Sequence, residues 1–191
     1  MPWDLSELSK HQAYLRGHFL LTTGRHSDQF LLMARLTENP QALAGWTKEL
    51  ARRLKGYGAR TVVGPALGGI IPAYAVASEW ENGRMLFTEK VEGGAMRFKR
   101  GFTLAPQEPV VVVEDVVTTG SSVDKVIQAI KEAGGIVVAV GALVDRGHAK
   151  PHWDDFGFES LLRLAPGSIP TWDPRECPLC QEGLPLSRPK A

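Results

Sequence analysis

Apolar runs alternate along the chain with stretches in which apolar residues recur at helical spacing. This is the pattern of a parallel β-sheet covered by helices. Strands are predicted at residues 61–63, 85–88, 110–113 and 136–144, and helices at about 40–54, 72–81 and 121–133. The first 35 residues and the last 45 or so break this rhythm. The pattern therefore predicts an α/β protein with a central parallel sheet.

Residues with strong local preferences mark the ends of these elements. Asn39 and Pro40 are typical of a helix N-cap followed by a first-turn proline. The polar, glycine-containing stretch through Gly101 predicts a mobile loop, and the segment 166–191 is rich in proline and polar residues. We expect residues 1–191 to form a single domain with an irregular C-terminal tail at 166–191.

Length and charge limit the classes of function. The 191 residues suit one compact domain with a sizeable core. The net charge is +1, from 22 Lys and Arg against 21 Asp and Glu, so a general nucleic-acid or membrane surface is not expected. The longest strongly apolar stretch, residues 136–144, is far shorter than the about 18 residues that span a bilayer. Because the N-terminus carries acids and lacks an apolar signal segment, we expect a cytoplasmic protein.

The segment Val110–Val123, VVVVEDVVTTGSSV, carries the clearest chemistry. A buried strand delivers Glu114 and Asp115 to its carboxyl end, the edge at which ligands of open parallel sheets bind. The TTGSS turn then offers backbone N–H groups, short hydroxyls and a helix N-terminus, which together suit a phosphate monoester. Adjacent carboxylates can accept hydrogen bonds from ribose hydroxyls, so the segment predicts a sugar-phosphate site. A plain surface turn is the alternative, but two acids directly after four valines are costly without a polar role.

This order of residues resembles the signature of type I phosphoribosyltransferases. The resemblance implies a central parallel sheet of about five strands flanked by helices, and a small hood built from the chain termini, here residues 1–35. It also implies Mg²⁺ and the co-substrate 5-phosphoribosyl-1-pyrophosphate, which itself carries most of the metal ligation, so no direct metal ligand is expected. Glu114 and Asp115 would position the ribose rather than attack it. The donor phosphate would be bound by the turn: Val116, Val117, Thr118, Thr119, Gly120, Ser121 and Ser122.

A second glycine-rich segment, Gly64–Pro72, resembles the pyrophosphate loop of the same family. Glycines allow a backbone to approach an anion closely, although an ordinary strand-to-helix turn would look similar. The donor contacts implied here are Ala66, Leu67, Gly68 and Gly69. Many relatives carry a lysine where this chain has Gly68.

The N-terminal run Gly17–Met33 resembles the hood of orotate phosphoribosyltransferases, and Asp145-Arg146 resembles their orotate-contacting arginine. Orotate is a planar anion, so its recognition calls for a guanidinium and an aromatic face. The implied orotate contacts are Arg146, Phe30, Thr118 and Arg25. Arg25 is included because Thr22 stands where many of these enzymes have a lysine. Arg146 could instead be a surface residue, and Phe30 a core residue.

The loop Glu89–Gly101 contains four cations and a Gly-Gly pair, which suits a lid over departing pyrophosphate. Lys90 aligns with a pyrophosphate-binding lysine and is a catalytic candidate together with Asp115 and Glu114. Arg97, Lys99 and Arg100 are supplementary candidates, or else parts of a solvated basic hairpin. In the family this loop reaches the neighbouring subunit, so the resemblance implies a homodimer.

Cys177 and Cys180 have the C-x-x-C spacing of half a zinc site, but no second pair follows in the sequence. One alternative is a metal site shared between the two subunits of a dimer, and another is a disulfide. We favour two free thiols that form no site. His26, His148 and His152 lie near candidate segments and receive no role. Three functions compete: orotate phosphoribosyltransferase, purine-base phosphoribosyltransferase, and a non-catalytic regulator that senses the sugar donor.

Overall fold

The computed structural model describes residues 3–147, 153 and 155–189. Short 3-10 turns lie at Lys55–Tyr57 and Glu92–Gly94. In chain order the helices and strands are α1 (Leu5–Lys10), β1 (Tyr14–Leu20), β2 (His26–Leu31), α2 (Ala34–Thr37), α3 (Pro40–Leu54), β3 (Thr61–Pro65), α4 (Ile70–Ser78), β4 (Arg84–Lys90), β5 (Met96–Phe98), β6 (Pro109–Val117), α5 (Ser121–Glu132), β7 (Ile136–Asp145), β8 (Gly157–Arg163) and α6 (Pro178–Gln181).

The main sheet has six strands in the order β5-β4-β3-β6-β7-β8. Five of them, β4, β3, β6, β7 and β8, are parallel, and β5 pairs antiparallel with β4 at one edge. The predicted parallel sheet of about five strands flanked by helices is confirmed. None of the helices described is long and apolar enough to cross a membrane.

The valine run of β6 supplies both faces of the core. Val111 and Val113 belong to the cluster that contains Trp46 of α3, whereas Val110 and Val112 pack in the cluster that contains Ile130 of α5. All four valines are fully buried. Successive side chains of a strand point to opposite faces, so an uninterrupted apolar run is what a sheet covered on both sides requires.

Two regions differ from the prediction. Strand β8 was not expected, yet it pairs with β7 and completes the sheet. The stretch 89–101, expected to be a mobile loop, instead contains the end of β4 and all of β5, joined as a hairpin by main-chain pairing of Lys90 with Met96.

The hood hairpin, residues 14–31, is a separate two-stranded sheet formed by β1 and β2. The tail, residues 166–189, runs along it. His26 and Trp172 exchange two main-chain hydrogen bonds of 2.9 Å, and Ser187 bonds through its main chain to His18 and Leu20 at 2.8 and 3.0 Å. Main-chain hydrogen bonds therefore hold the tail to the hood hairpin at two separate points.

Candidate active site

Four strand ends bring the predicted site residues to one edge of the sheet. Because β3, β4, β6 and β7 are parallel, their carboxyl ends lie on the same side. The segment 66–69 follows β3, Lys90 ends β4, the two acids lie near the end of β6, and Arg146 follows β7. Residues spread over 80 positions of sequence thus share one edge.

The turn from β6 into α5 has the form of a phosphate cradle. Thr118 and Thr119 are exposed, and Gly120 adopts a left-handed φ of 73° directly before α5. The helix begins without a side-chain cap, and Thr119 Oγ1 donates to Ser121 Oγ at 3.3 Å. Free N–H groups at the start of a twelve-residue helix favour an anion there.

The two acids are held by main-chain hydrogen bonds. Glu114 is buried, and its Oε1 accepts from the Asp115 N–H at 3.1 Å. Asp115 is partly exposed, and its Oδ1 accepts from the Val116 N–H at 2.6 Å. The bonds fix both carboxylates beside the cradle.

Gly68 explains one departure from the family pattern. A Cβ atom added at this position would lie 2.6 Å from Asp115 Oδ2, too close for any real contact. A lysine at residue 68 would therefore displace the carboxylate of Asp115 or shift the loop. In this chain the Asp115 carboxylate fills the space that a side chain at residue 68 would need.

Arg146 lies at a cavity of about 240 Å³ between the cradle and the tail. Its main-chain N–H donates to the Val117 carbonyl at 3.0 Å, which fixes its position beside β6. The guanidinium is half-buried, and this burial lowers the pKa of Arg146 from its ordinary value. The residues that line the cavity are Thr118, Thr119, Arg146, Gly167, Ile169, Pro170 and Thr171.

Asp145 orients the turn that carries Arg146. It is almost fully buried, and its carboxylate accepts from the Gly147 N–H at 2.8 Å and from Arg163 Nε at 3.0 Å. The pair Asp145-Arg146 thus divides into a buried acid that shapes the turn and a cation that reaches the cavity.

Arg25 and Phe30, the other predicted orotate contacts, are not among the residues that line this cavity. Arg25 donates to Thr171 Oγ1 at 3.1 Å and to the Thr171 carbonyl at 2.7 Å, so it holds a residue that lines the cavity. Phe30 is buried against Phe19, with ring centroids 5.6 Å apart. Their proposed contacts with orotate stay predictions.

Lys90 has a neighbour that the sequence did not indicate. The Cβ position of Gly94 lies 3.8 Å from Lys90 Cε and 3.7 Å from Lys125 Nζ, so the two lysines converge on this glycine. Lys125 lies early in α5, close behind the cradle. In the sequence, Lys125 follows the predicted phosphate-binding turn by three residues, and this spacing could have marked it as a candidate.

Two of the three supplementary cations of the β4–β5 hairpin form ion pairs within the chain. Arg97 forms an ion pair with Glu132 of α5. Arg100 pairs with Glu89 at 2.8 Å and lies 5.6 Å from the centroid of the Phe87 ring. Lys99 is exposed. Their proposed contacts with pyrophosphate stay predictions.

A second group of polar side chains lies between the hood hairpin and the tail. The sequence favoured two thiols without a site, because no second pair follows the C-x-x-C; in the fold, two histidines far away in sequence lie beside the two cysteines. We name this group the hood–tail cluster; its members are His18, His26, Cys177 and Cys180, with one potential ligand atom each, all within 4.8 Å of one another. His148 and His152 lie outside the described residues.

Comparison with known proteins defines the class. The model of the phosphoribosyl transferase domain matches residues 33–161, which include the cradle, the segment 66–69 and Arg146. The chain therefore belongs to the phosphoribosyltransferase family, as the motif in β6 predicted.

Within that family the similarity is to orotate phosphoribosyltransferases. The chain is 48% identical to the enzyme of that name from Thermotoga maritima, over 95% of this chain and 94% of the relative. It is 45% identical to the one from Caldanaerobacter subterraneus, over 97% and 94%. The crystal structure of the Aeropyrum pernix orotate phosphoribosyltransferase superposes with a TM-score of 0.68 at 28% identity, covering 83% of this chain and 92% of that one. A Mycobacterium tuberculosis orotate phosphoribosyltransferase in complex with inorganic phosphate gives 0.67 at 26% identity, covering 85% and 95%.

Proposed function

We propose that this chain transfers the phosphoribosyl group of 5-phosphoribosyl-1-pyrophosphate to orotate, giving orotidine 5′-monophosphate and pyrophosphate in the de novo synthesis of UMP. The observation that carries this is the position of Arg146: a half-buried cation and the phosphate cradle line the same cavity. Such a cavity suits an anionic base next to a sugar phosphate. The similarity to orotate phosphoribosyltransferases along nearly the whole chain supports the same assignment.

The donor is proposed to bind across the carboxyl edge of the sheet. The cradle, residues 116–122, would hold the 5-phosphate, and the carboxylates of Glu114 and Asp115 would accept hydrogen bonds from the ribose hydroxyls. Residues 66–69 would bind the pyrophosphate through their main chain. Asp115 next to the bare Gly68 supports this, because a side chain at residue 68 would cover the carboxylate.

The donor set at this edge fits Mg²⁺. The groups near the cradle are carboxylates and hydroxyls, and Mg²⁺ prefers oxygen ligands, commonly one or two carboxylates together with substrate phosphates. Asp115 would not bind the ion directly. It would bind the sugar donor, and the donor would bind the ion. When bound, the ion would neutralise part of the charge of the pyrophosphate.

The reaction needs little covalent participation by the protein. The orotate ring nitrogen loses its proton and forms a bond to ribose C1 while the bond from C1 to the pyrophosphate oxygen breaks. Positive charge develops at C1, and the departing pyrophosphate carries away negative charge and can take up the proton. Lys90, with Lys125 beside it, would stabilise the departing anion. The β4–β5 hairpin that carries Lys90 would exclude water that could hydrolyse the donor.

Orotate is favoured over neutral bases because of its carboxylate. A neutral base would not provide the anion that the position of the half-buried Arg146 suits, so it should bind less well than orotate. The pKa of Arg146 is lowered by burial, but an arginine stays protonated at neutral pH.

The test is a panel of bases assayed with the sugar donor and Mg²⁺. Orotate should be consumed, whereas adenine, hypoxanthine, guanine and uracil should react poorly. Arg146→Ala should lose most orotate turnover and keep its affinity for the donor, measured by calorimetry, while Arg52→Ala, which removes an exposed arginine of α3, should behave as wild type. Preference for a purine would favour a purine-base enzyme, and donor binding without turnover of any base would favour a sensor.

We also propose that the protein acts in the cytoplasm as a homodimer. Leu67, Ile71 and Tyr74 are 84%, 48% and 65% exposed and lie near the beginning of α4 at a spacing of three or four residues. Ile71 and Tyr74 lie three residues apart on one face of α4, and Leu67 lies in the turn just before the helix, so the three form an exposed apolar stripe that suits a contact with a second copy.

A further inference from the structure

Four of the six distances between ligand atoms of the hood–tail cluster are close to the edges of a tetrahedral metal site. His18 Nε2 lies 3.0 Å from His26 Nδ1, 3.5 Å from Cys177 Sγ and 3.6 Å from Cys180 Sγ. Cys180 Sγ lies 3.3 Å from His26 Nδ1. Usual Zn–N and Zn–S bond lengths imply tetrahedral edges of ~3.3 Å between nitrogens and ~3.6 Å between nitrogen and sulfur.

Hydrogen bonds alone account poorly for this arrangement. The ring nitrogen His18 Nδ1 lies 2.9 Å from the Leu184 carbonyl, which only accepts, so Nδ1 carries a proton, and in the neutral ring Nε2 has the lone pair. That single lone pair faces three polar atoms within 3.6 Å. One cation at the centre satisfies all of them at once. A carbonyl that fixes the tautomer in this way is the usual second partner of a metal-bound histidine.

The surrounding main chain holds the four side chains in place. His26 pairs with Trp172 on one side of the C-x-x-C turn, and His18 bonds to Ser187 on the other. His18, His26 and Cys177 are buried, whereas Cys180 is exposed, which leaves a route for an ion to enter. Pre-positioned ligands with an entry path are what a metal site requires.

We propose that the hood–tail cluster binds one Zn²⁺ ion that fastens the tail to the hood hairpin. Two imidazoles and two thiolates in a tetrahedron favour zinc among the common divalent ions. Four protein ligands leave no open position for water or substrate, so the site is structural rather than catalytic.

The zinc site also bears on the substrate cavity. Gly167, Ile169, Pro170 and Thr171 line that cavity, and Trp172 follows directly in the tail. Removing the ion should loosen these residues and raise the KM for orotate more than it lowers kcat. This consequence rests on the proposed function; zinc binding itself does not.

Metal analysis of the full-length protein, purified without chelator, tests the site. Mass spectrometry of the elements should find one zinc per chain. Cobalt exchanged for zinc should show thiolate-to-metal charge transfer, and the band must come from Cys177 and Cys180 because the chain has only 2 cysteines. Cobalt without that band, or intact-mass detection of a Cys177–Cys180 disulfide in freshly purified protein, would overturn the proposal.

Variants locate the ion. Cys180→Ser and His26→Gln should weaken zinc affinity, measured by chelator competition, by more than the roughly 10–100-fold typical of changes to groups that only orient ligands. His11→Gln is the matched control, because His11 lies outside the cluster beside Glu7. A chelator should lower the Tm of wild type and of His11→Gln but not of Cys180→Ser. Unchanged zinc affinity in Cys180→Ser contradicts the assignment, and if a variant does not fold, the cobalt spectrum of wild type still decides. Zinc binding without orotate turnover would refute the proposed function alone.

Discussion

At the scale of single residues, the adjacent carboxylates make the sharpest prediction. Asp115→Asn should fold normally, because an amide oxygen can still accept the hydrogen bond from the Val116 N–H. It should lose roughly 10–100-fold in kcat/KM, the effect expected when a charged hydrogen-bond acceptor is lost at the ribose. Circular dichroism and steady-state kinetics measure the two properties.

Glu114→Gln should also fold normally and lower kcat/KM. Asp173→Asn, which changes an exposed acid of the tail, is the control and should leave kinetics unchanged. Near-normal turnover in both Asp115→Asn and Glu114→Gln would remove the ribose assignment.

These residues could be predicted from sequence because their chemistry is local. Strand, acids and phosphate turn follow one another in 14 residues, Val110–Val123. The hood–tail cluster could not be predicted in this way: His18 and Cys177 are 159 positions apart, and neither histidine has metal-ligand spacing to the C-x-x-C pair. Only the docking of the tail on the hood hairpin brings them together.

At the scale of elements, the β4–β5 hairpin is predicted to place the positive charge of Lys90 near the departing pyrophosphate. Lys90→Ala should lower kcat roughly 10–100-fold and leave affinity for the nucleotide product nearly unchanged, because the charge that Lys90 meets grows on departing pyrophosphate. Single-turnover kinetics and calorimetry with the product separate the two effects.

Arg100→Ala is the matched comparison within the same hairpin. Its partner is Glu89 of its own chain, so its loss should affect turnover less than the loss of Lys90. If Lys90→Ala is normal and Arg97→Ala or Arg100→Ala is inactive, Lys90 has been assigned the wrong role.

The long elements were predictable and the short or mixed ones were not. α3 and α5 carry clear apolar faces, and β6 contains the continuous apolar run Val110–Val113. β5 has only 3 residues, and the first four residues of β8, GFESLLR, are all partly exposed. Neither strand therefore shows the alternation of buried and exposed positions that would reveal it in the sequence. Both lie at edges of the sheet, where pairing with one neighbour rather than burial on two faces defines the strand.

At the scale of the whole molecule, the exposed apolar stripe of Leu67, Ile71 and Tyr74 predicts how copies associate. Tyr74→Glu should shift the protein from dimer to monomer in size-exclusion chromatography with light scattering, because a charge would be buried in an apolar contact. Ile136→Glu changes an apolar side chain with 42% exposure at the start of β7 and should leave the dimer intact. A monomeric wild type, or a dimeric Tyr74→Glu variant, would contradict this interface.

The docking of residues 166–189 on the hood hairpin has a consequence for biosynthesis. The ribosome makes the hairpin early and the tail about 145 residues later, so the nascent chain can form most of its sheet while one wall of the substrate cavity is still missing. A protease that removes the tail should spare the sheet and abolish orotate binding, because the tail supplies Gly167, Ile169, Pro170 and Thr171 to the cavity wall. The substrate cavity is therefore completed only after the tail has been made and has docked on the hood hairpin.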